Sequence, residues 1–111
     1  MVVLTKYKSS LESMLRKNPA VKRLYFFGSA LTSRFNDVTS DIDVLVETTN
    51  IPPEEKGEQL MILWDDLEKL FARKVDLLTE NSLKNPYLTK EIKRTRKLIY
   101  DGQTFLADAL Q

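Results

Sequence analysis

The sequence predicts an α/β (α+β) fold in which helices pack on a small mixed sheet of three to four strands. Short runs rich in β-branched and aromatic residues alternate with segments whose apolar residues recur at helical spacing. The connections between these segments are short, and such alternation gives layered structures of helices on a sheet. Because 111 residues suit one domain, we expect a single domain over residues 1–111.

The predicted elements follow in the order helix, strand, short helix, strand, helix, strand, helix. The first helix should stop at Asn18, because Pro19 disfavours a helical conformation in the residue before it. Strands are predicted over residues 21–27, 41–47 and 74–79, which are short and dense in β-branched or aromatic side chains.

Two later helices are predicted from their end signals and apolar stripes. The first begins at Pro52-Pro53, since proline is tolerated in a first helical turn. The second begins after Asn85, a suitable N-cap, and ends near Gly102, with a last helical turn over 104–110. We interpret both stripes as core-facing: Leu60, Leu63, Trp64, Leu67, Leu70 and Phe71 in the first, and Leu88, Ile92, Thr95 and Ile99 in the second.

The chain contains neither cysteine nor histidine. This excludes disulfides, thiolate nucleophiles, imidazole-based triads and metal sites built from cysteine or histidine. Any catalysis must rest on carboxylates, hydroxyls, lysines, arginines and backbone groups. A bound metal would be held by oxygen atoms, which favours Mg²⁺ or Mn²⁺.

Charge and hydropathy limit the partners. The formal net charge is +1, so the composition carries no polyanion-binding signature and a nucleic-acid partner is not expected. No apolar run approaches the ~18 residues of a membrane span, and the N-terminal residues lack signal-peptide features. We therefore expect a cytoplasmic protein. The basic run over 90–97 could contact nucleotide phosphates, RNA or an acidic partner, but a solvated helix face is the default expectation.

Gly28-Ser29 is the first candidate site element. It follows a predicted strand and begins a predicted short helix. Glycine lets a backbone approach a ligand closely, and the first amides of a helix can donate to phosphate oxygens. Gly-Ser is also a common turn, so the dipeptide alone does not decide between the two.

Asp41 and Asp43 form the second candidate site element. Residues two apart in a strand project from one face, so both carboxylates point the same way, with Leu45 beside them. Two carboxylates at such a short distance repel each other, and a divalent cation between them would remove that repulsion. The alternative is a solvated strand that carries charges against aggregation.

Asp76 in the third predicted strand is the last candidate. It could simply pair with Lys74 or Arg73 at a rim. If its strand lies beside the second strand, however, Asp76 can face the same point as Asp41 and Asp43. Three carboxylates beside a phosphate-binding turn would form an oxygen-only site for two Mg²⁺ ions, which stabilise the attacking and leaving oxygens of an in-line displacement.

Taken together, these elements resemble a known signature. Phe26-Phe27-Gly28-Ser29, a spacer, and Ser40-Asp41-Ile42-Asp43 are similar to the motif of the DNA polymerase beta-like nucleotidyltransferase superfamily, and Lys74-Val75-Asp76-Leu77 matches its third acidic element. The chain looks like the minimal nucleotidyltransferase (MNT) branch over about residues 21–100. The spacer is one residue longer than the commonest family spacing, and Ala30-Leu31-Thr32 replaces a small basic residue often found there.

The resemblance implies roles for these residues. Gly28 and Ser29 would hold the triphosphate of ATP or another nucleoside triphosphate, and Asp41 and Asp43 would bridge the metals. Asp76 would ligate the catalytic metal and help to deprotonate the acceptor hydroxyl. The implied reaction transfers a nucleoside monophosphate, AMP if ATP is the donor, and releases pyrophosphate.

The acceptor is open at this stage. Little chain remains for a substrate-binding domain, so a second protein could complete the site or be the substrate. The resemblance to stand-alone MNT proteins implies an antitoxin that transfers AMP to a tyrosine of a helical HEPN toxin. The alternatives are a transferase for small molecules, similar to aminoglycoside-modifying enzymes and working as a homo-oligomer, and an antitoxin that acts by contact alone.

Overall fold

A computed structural model describes residues 7–27, 42–102 and 104–105. In this part of the chain there are three α-helices, five β-strands and one 3₁₀ turn. In chain order they are α1 (Lys8–Lys17), β1 (Val21–Phe27), β2 (Ile42–Thr48), α2 (Pro53–Phe71), β3 (Val75–Thr79), the 3₁₀ turn (Glu80–Ser82), α3 (Pro86–Thr95), β4 (Lys97–Asp101) and β5 (Thr104–Phe105). The short helix predicted after β1 lies outside the described residues. No helix in the described ranges is long and apolar enough to cross a membrane.

The strands form one mixed sheet in the order β3-β2-β1-β4-β5. β2 and β3 are parallel, whereas every other neighbouring pair of strands is antiparallel. A parallel pair needs a crossover connection, which α2 provides between these two strands. The predicted fold class is confirmed: four strands have five to seven residues each, and the two-residue β5 extends one edge.

Helices cover both faces of the sheet. The main core lies between one face and the helices α1 and α2, and α3 covers the other face, where Ile92 packs in a smaller cluster with Tyr25, Phe27 and Leu45. The alternation predicted for β2 is confirmed, because Ile42, Val44 and Val46 are buried in the main core and Leu45 in the smaller cluster. The two faces of β2 therefore have different neighbours.

The edge strand β3 is capped by polar side chains of α2. The outward backbone N–H of Val75 donates to Glu68 Oε2 at 3.0 Å, and its carbonyl accepts from Trp64 Nε1 at 2.7 Å. Trp64 is 40% exposed, so it lies at the margin of the stripe whose Leu63, Leu67 and Phe71 are buried as predicted. Satisfying edge groups in this way limits pairing with other chains and fixes α2 against the sheet.

The helix predicted to extend to Gly102 is wrong in its C-terminal part. The last helix was expected to reach Gly102, but α3 ends at Thr95 and Arg96 is extended. The strand β4 follows and places Ile99 in the main core beside β1. Pairing with β1 and burial of this strand outweigh the helical spacing of the apolar residues. The final helical turn is also wrong at Thr104–Phe105, which pairs with β4 as β5; residues 106–110 lie outside the described part.

Replacing Trp64 by phenylalanine tests the edge cap. Trp64→Phe keeps an aromatic ring but removes the donor to the Val75 carbonyl, so the free energy of unfolding should fall by about 1 kcal/mol. Urea unfolding followed by far-UV circular dichroism measures the change. Tyr87→Phe is the matched control, because Tyr87 is 86% exposed and should tolerate the change without effect. Equal stability of Trp64→Phe and the wild type would contradict the assigned cap.

Candidate active site

Asp43 of β2 and Asp76 of β3 lie side by side. They are direct partners in the parallel register of the two strands, whose backbones are roughly 4.8 Å apart in such a pair. Their side chains project from the face that α3 covers, since Leu45 and Leu78, two residues further along each strand, belong to the cluster on that face. Both aspartates are half-buried. Sequence reasoning made their proximity conditional on neighbouring strands, and the sheet order meets that condition.

The C-terminal end of β1 lies beside the Asp43–Asp76 pair. Phe27, the last residue of β1, is the antiparallel partner of Asp43. The chain continues from Phe27 into Gly28-Ser29, so the Gly-Ser element is attached to the residue opposite the carboxylates. Gly28, Ser29 and Asp41 themselves lie outside the described residues. Among the described residues the sheet thus brings together two of the predicted site residues and the strand end that leads to the others.

Lys74 accompanies Asp76. Its Nζ lies 3.9 Å from Asp76 Oδ1; the Lys74 side chain is 66% exposed and the half-buried Asp76 side chain is 46% exposed. The simpler interpretation of Asp76, pairing with Lys74 at a rim, is therefore present in the structure. An exposed pair at this distance is weak, because water screens it. It leaves Asp76 available to a stronger cation.

The residues present suit a hard divalent cation. Two half-buried carboxylates on adjacent strands offer oxygen donors only, which is the preference of Mg²⁺ and Mn²⁺. Within the described ranges no group of three or more candidate ligands occurs, and the third predicted ligand, Asp41, lies outside them. The fit therefore rests on the Asp43–Asp76 pair and on the strand position of Asp41 in the sequence.

An ionic network on the same face holds α3 to the sheet. Glu47 Oε1 accepts from Arg23 Nη1 and from the Tyr25 hydroxyl, each at 3.0 Å. Arg96, directly after α3, lies with its guanidinium carbon 4.1 Å from the centre of the Tyr25 ring and 3.9 Å from Glu47 through Nη1. Arg23 Nε also pairs with Asp101 of β4 at 3.2 Å. The network links three strands and the end of α3.

Sequence reasoning missed this network. The basic run over 90–97 was expected to be a solvated helix face, yet Arg96 is half-buried and engaged with Tyr25 and Glu47. A signal was present in the strands, where Arg23 and Glu47 interrupt apolar runs. Pairing them required the register of β1 with β2, in which these two residues are opposite.

The network also changes two pKa values. Burial acts to raise the pKa of the Glu47 carboxyl, but hydrogen bonds from Arg23 and Tyr25 and the charges of both arginines outweigh it, so this pKa is lowered below 4.5. Burial, followed by the hydrogen bond to Glu47, raises the pKa of the Tyr25 hydroxyl. Glu47 is thus held as an anion and Tyr25 as a neutral donor.

Comparison with known proteins identifies the family. Residues 9–104 match the model of the family described as polymerase beta, nucleotidyltransferase. The chain belongs to this nucleotidyltransferase family. The matched segment contains Gly28, Ser29, Asp41, Asp43 and Asp76, and the expected enzyme class is confirmed at the level of the family.

Relatives of this nucleotidyltransferase of similar length occur in Methanocaldococcus jannaschii. One putative protein adenylyltransferase is 35% identical over 98 residues, which cover 88% of this chain and 90% of the relative. A second putative protein adenylyltransferase of the same organism is 36% identical over 98 residues, with the same coverage. The similarity therefore extends over most of each chain.

Solved structures share the fold of this nucleotidyltransferase. One is a toxin–antitoxin crystal structure with AMP-PNP, with a TM-score of 0.61 and 23% identity, covering 86% of this chain and 74% of the matched chain. Another is a tri-AMPylated Shewanella oneidensis HEPN toxin in complex with MNT antitoxin, with a TM-score of 0.57 and 22% identity, covering 93% and 75%. The resemblance to MNT proteins of HEPN pairs is thus confirmed for the fold.

Removing the Glu47 charge tests the network through pH. Because the pKa of Glu47 is lowered in the folded nucleotidyltransferase, its ionised form stabilises the fold above the unfolded-state pKa, and this contribution is lost as pH falls through the lower folded value. Glu47→Gln should therefore be less stable than the wild type at pH 7, by about 1 kcal/mol. The difference should shrink as the pH falls below 4.5.

Urea unfolding at a series of pH values measures this difference. Glu12→Gln serves as the control, because Glu12 forms an exposed pair with Arg16 one helical turn away. Such pairs contribute little, so the control should differ from the wild type by less than about 0.5 kcal/mol at each pH. A Glu47→Gln difference that is constant with pH would contradict the electrostatic role of Glu47.

Proposed function

We propose that the protein is a metal-dependent adenylyltransferase that transfers AMP from ATP to a hydroxyl of a partner protein, a helical protein of the HEPN type. The observation that supports this most directly is the pairing of Asp43 with Asp76 beside the end of β1. This arrangement unites two separate parts of the motif on one face of the sheet. A solvated strand face gives no reason for such convergence.

The proposal gives each site residue a task. Asp43 and Asp76, with Asp41, would hold Mg²⁺ or Mn²⁺, and the ion would supply positive charge to the phosphates of the donor. Gly28 and Ser29 hold the triphosphate with backbone and hydroxyl donors. Asp76 accepts the proton of the acceptor hydroxyl while the oxygen of that hydroxyl forms a bond to the α-phosphorus. The bond from that phosphorus to the bridging oxygen breaks, and pyrophosphate leaves. Orientation and charge neutralisation supply most of the acceleration.

The choice of acceptor rests on the comparisons. Relatives that match over most of their length are named putative protein adenylyltransferases. The structural neighbours include an MNT antitoxin with an AMPylated HEPN toxin and a toxin–antitoxin structure with AMP-PNP. The similarity to these proteins favours ATP as the donor, and it favours a protein over a small molecule as the acceptor.

Transfer is tested by following the label of ATP. With Mg²⁺ and a protein extract of the source organism, the wild type should transfer label from α-³²P-ATP, and none from γ-³²P-ATP, to a protein band. Asp43→Asn and Asp76→Asn should each lower this labelling by about a hundredfold to a thousandfold, since each removes a carboxylate that holds the cation neutralising the phosphates. Asp65→Asn is the control, because Asp65 pairs with Lys69 on the exposed side of α2.

The outcomes separate the alternatives. Labelled RNA or a labelled small molecule would overturn the protein acceptor but not nucleotidyl transfer. Inhibition of a partner's activity without any labelling would instead indicate an antitoxin that acts by contact. Equal labelling by the wild type and Asp43→Asn would contradict the assigned site.

Metal binding is tested separately by thermal unfolding. Mn²⁺ that binds only the folded protein should raise the Tm of the wild type, and the increase should keep growing with the logarithm of the Mn²⁺ concentration above the Kd. Asp43→Asn and Asp76→Asn should lose this increase, whereas Asp65→Asn should keep it. Removal of metal with EDTA should abolish labelling, and added Mg²⁺ should restore it. A Tm increase that survives in both site variants would show that the ion binds elsewhere.

A further inference from the structure

We propose that Lys74 is a phosphate-binding residue with two partners: Asp76 in the protein without ligands, and the triphosphate once a divalent cation and nucleotide are bound. This inference rests on the proposed function and adds a positioning residue to its site. Lys74 lies within the segment that matches the third acidic element, but the resemblance gives a role there to Asp76 and none to Lys74.

The backbone fixes where Lys74 can act. Its carbonyl accepts from the N–H of Ile42 at 3.1 Å, which attaches the residue to β2 immediately before β3 begins. It lies two residues before Asp76, so its side chain starts on the same face of the extended chain. This is also the end of the sheet at which β1 finishes, since Phe27 pairs with Asp43. Lys74 is therefore anchored by its backbone beside both the carboxylates and the strand that leads to Gly28.

The side chain is free to exchange partners. Its ammonium group is 3.9 Å from Asp76 Oδ1 and the side chain is 66% exposed, so the contact is long and hydrated. Lysine carries a compact charge on a flexible stem and binds phosphate as a point charge. Two arginines on this face are held more firmly, because Arg23 lies 3.0 Å from Glu47 and Arg96 is half-buried against the Tyr25 ring. Lys74 can leave its partner with little loss.

Charge balance sets the direction of the exchange. Without a metal, Lys74 offsets part of the repulsion between the adjacent carboxylates of Asp43 and Asp76. A divalent cation at these carboxylates competes with the ammonium group for the same oxygens and repels it. The triphosphate that accompanies the cation offers Lys74 a new anionic partner on the same side of the sheet. Lys74 thus opposes metal binding alone and favours binding of nucleotide with metal.

Two binding measurements of opposite sign test this exchange. In Lys74→Met, the affinity for Mn²⁺ alone should rise about threefold, because a competing cation is removed. In the presence of Mn²⁺, the affinity for the non-reacting donor α,β-methylene-ATP should fall about tenfold, because a charged phosphate contact is lost. Isothermal titration calorimetry measures both. Lys74→Arg keeps the charge and should retain most of the nucleotide affinity.

Lys69→Met is the matched control. Lys69 also pairs with an aspartate and is similarly exposed, but it lies on α2, which packs on the opposite face. Both affinities should be unchanged in this variant. A merely structural role for Lys74 would change both affinities in the same direction or neither, and either result would overturn the exchange. Absence of Mn²⁺ and nucleotide binding by the wild type would instead count against the proposed function itself.

Discussion

The register between β2 and β3 is the constraint on which the candidate site depends. Side chains alternate across a strand, so a slip of one residue would turn Asp76 towards the main core and Val75 towards the site. The apolar residues prevent this, because Ile42 and Val75 are register partners and both are fully buried beneath α1 and α2. Burying a charged carboxylate there without a partner would be strongly unfavourable. The core on one face therefore determines which side chains meet on the other.

α2 maintains this register in two ways. It is the crossover between β2 and β3, and its buried Leu63, Leu67 and Phe71 join the core that these strands share. Its Trp64 and Glu68 also bind both outward backbone groups of Val75, the residue before Asp76. The segment that closes the parallel connection thus also fixes the start of β3. Placing an aspartate one residue beyond this fixed point limits how far its carboxylate can move.

The sequence allowed β1, β2, β3 and the shared face of β2 to be predicted, because those features depend on local composition and on a period of two. It left the adjacency of Asp43 and Asp76 conditional, because strand order is set by contacts between distant residues. The C-terminal region shows the same limit. Ile92 and Ile99 fit one helical stripe, yet one packs from α3 on the smaller cluster and the other from β4 in the main core. Residues 97–101 form a strand because they pair with the edge of β1 that β2 does not occupy, and this pairing is not visible in the local sequence.

Glu47 and Asp76 lie on the same face of the sheet, the one that α3 covers, but their carboxylates have different electrostatic surroundings. Glu47 accepts from Arg23 and Tyr25 at 3.0 Å and has Arg96 at 3.9 Å, so its charge is balanced within the fold and its pKa is lowered. Asp76 has a carboxylate as its register neighbour, and among the described residues its ion pair is a 3.9 Å contact to the exposed Lys74. Adjacent carboxylates repel each other, and Lys74 offsets part of that repulsion. Arg23 and Arg96 are both engaged at Glu47, at the other end of β2 from Asp43, and in the proposed function a divalent cation would balance the aspartate pair.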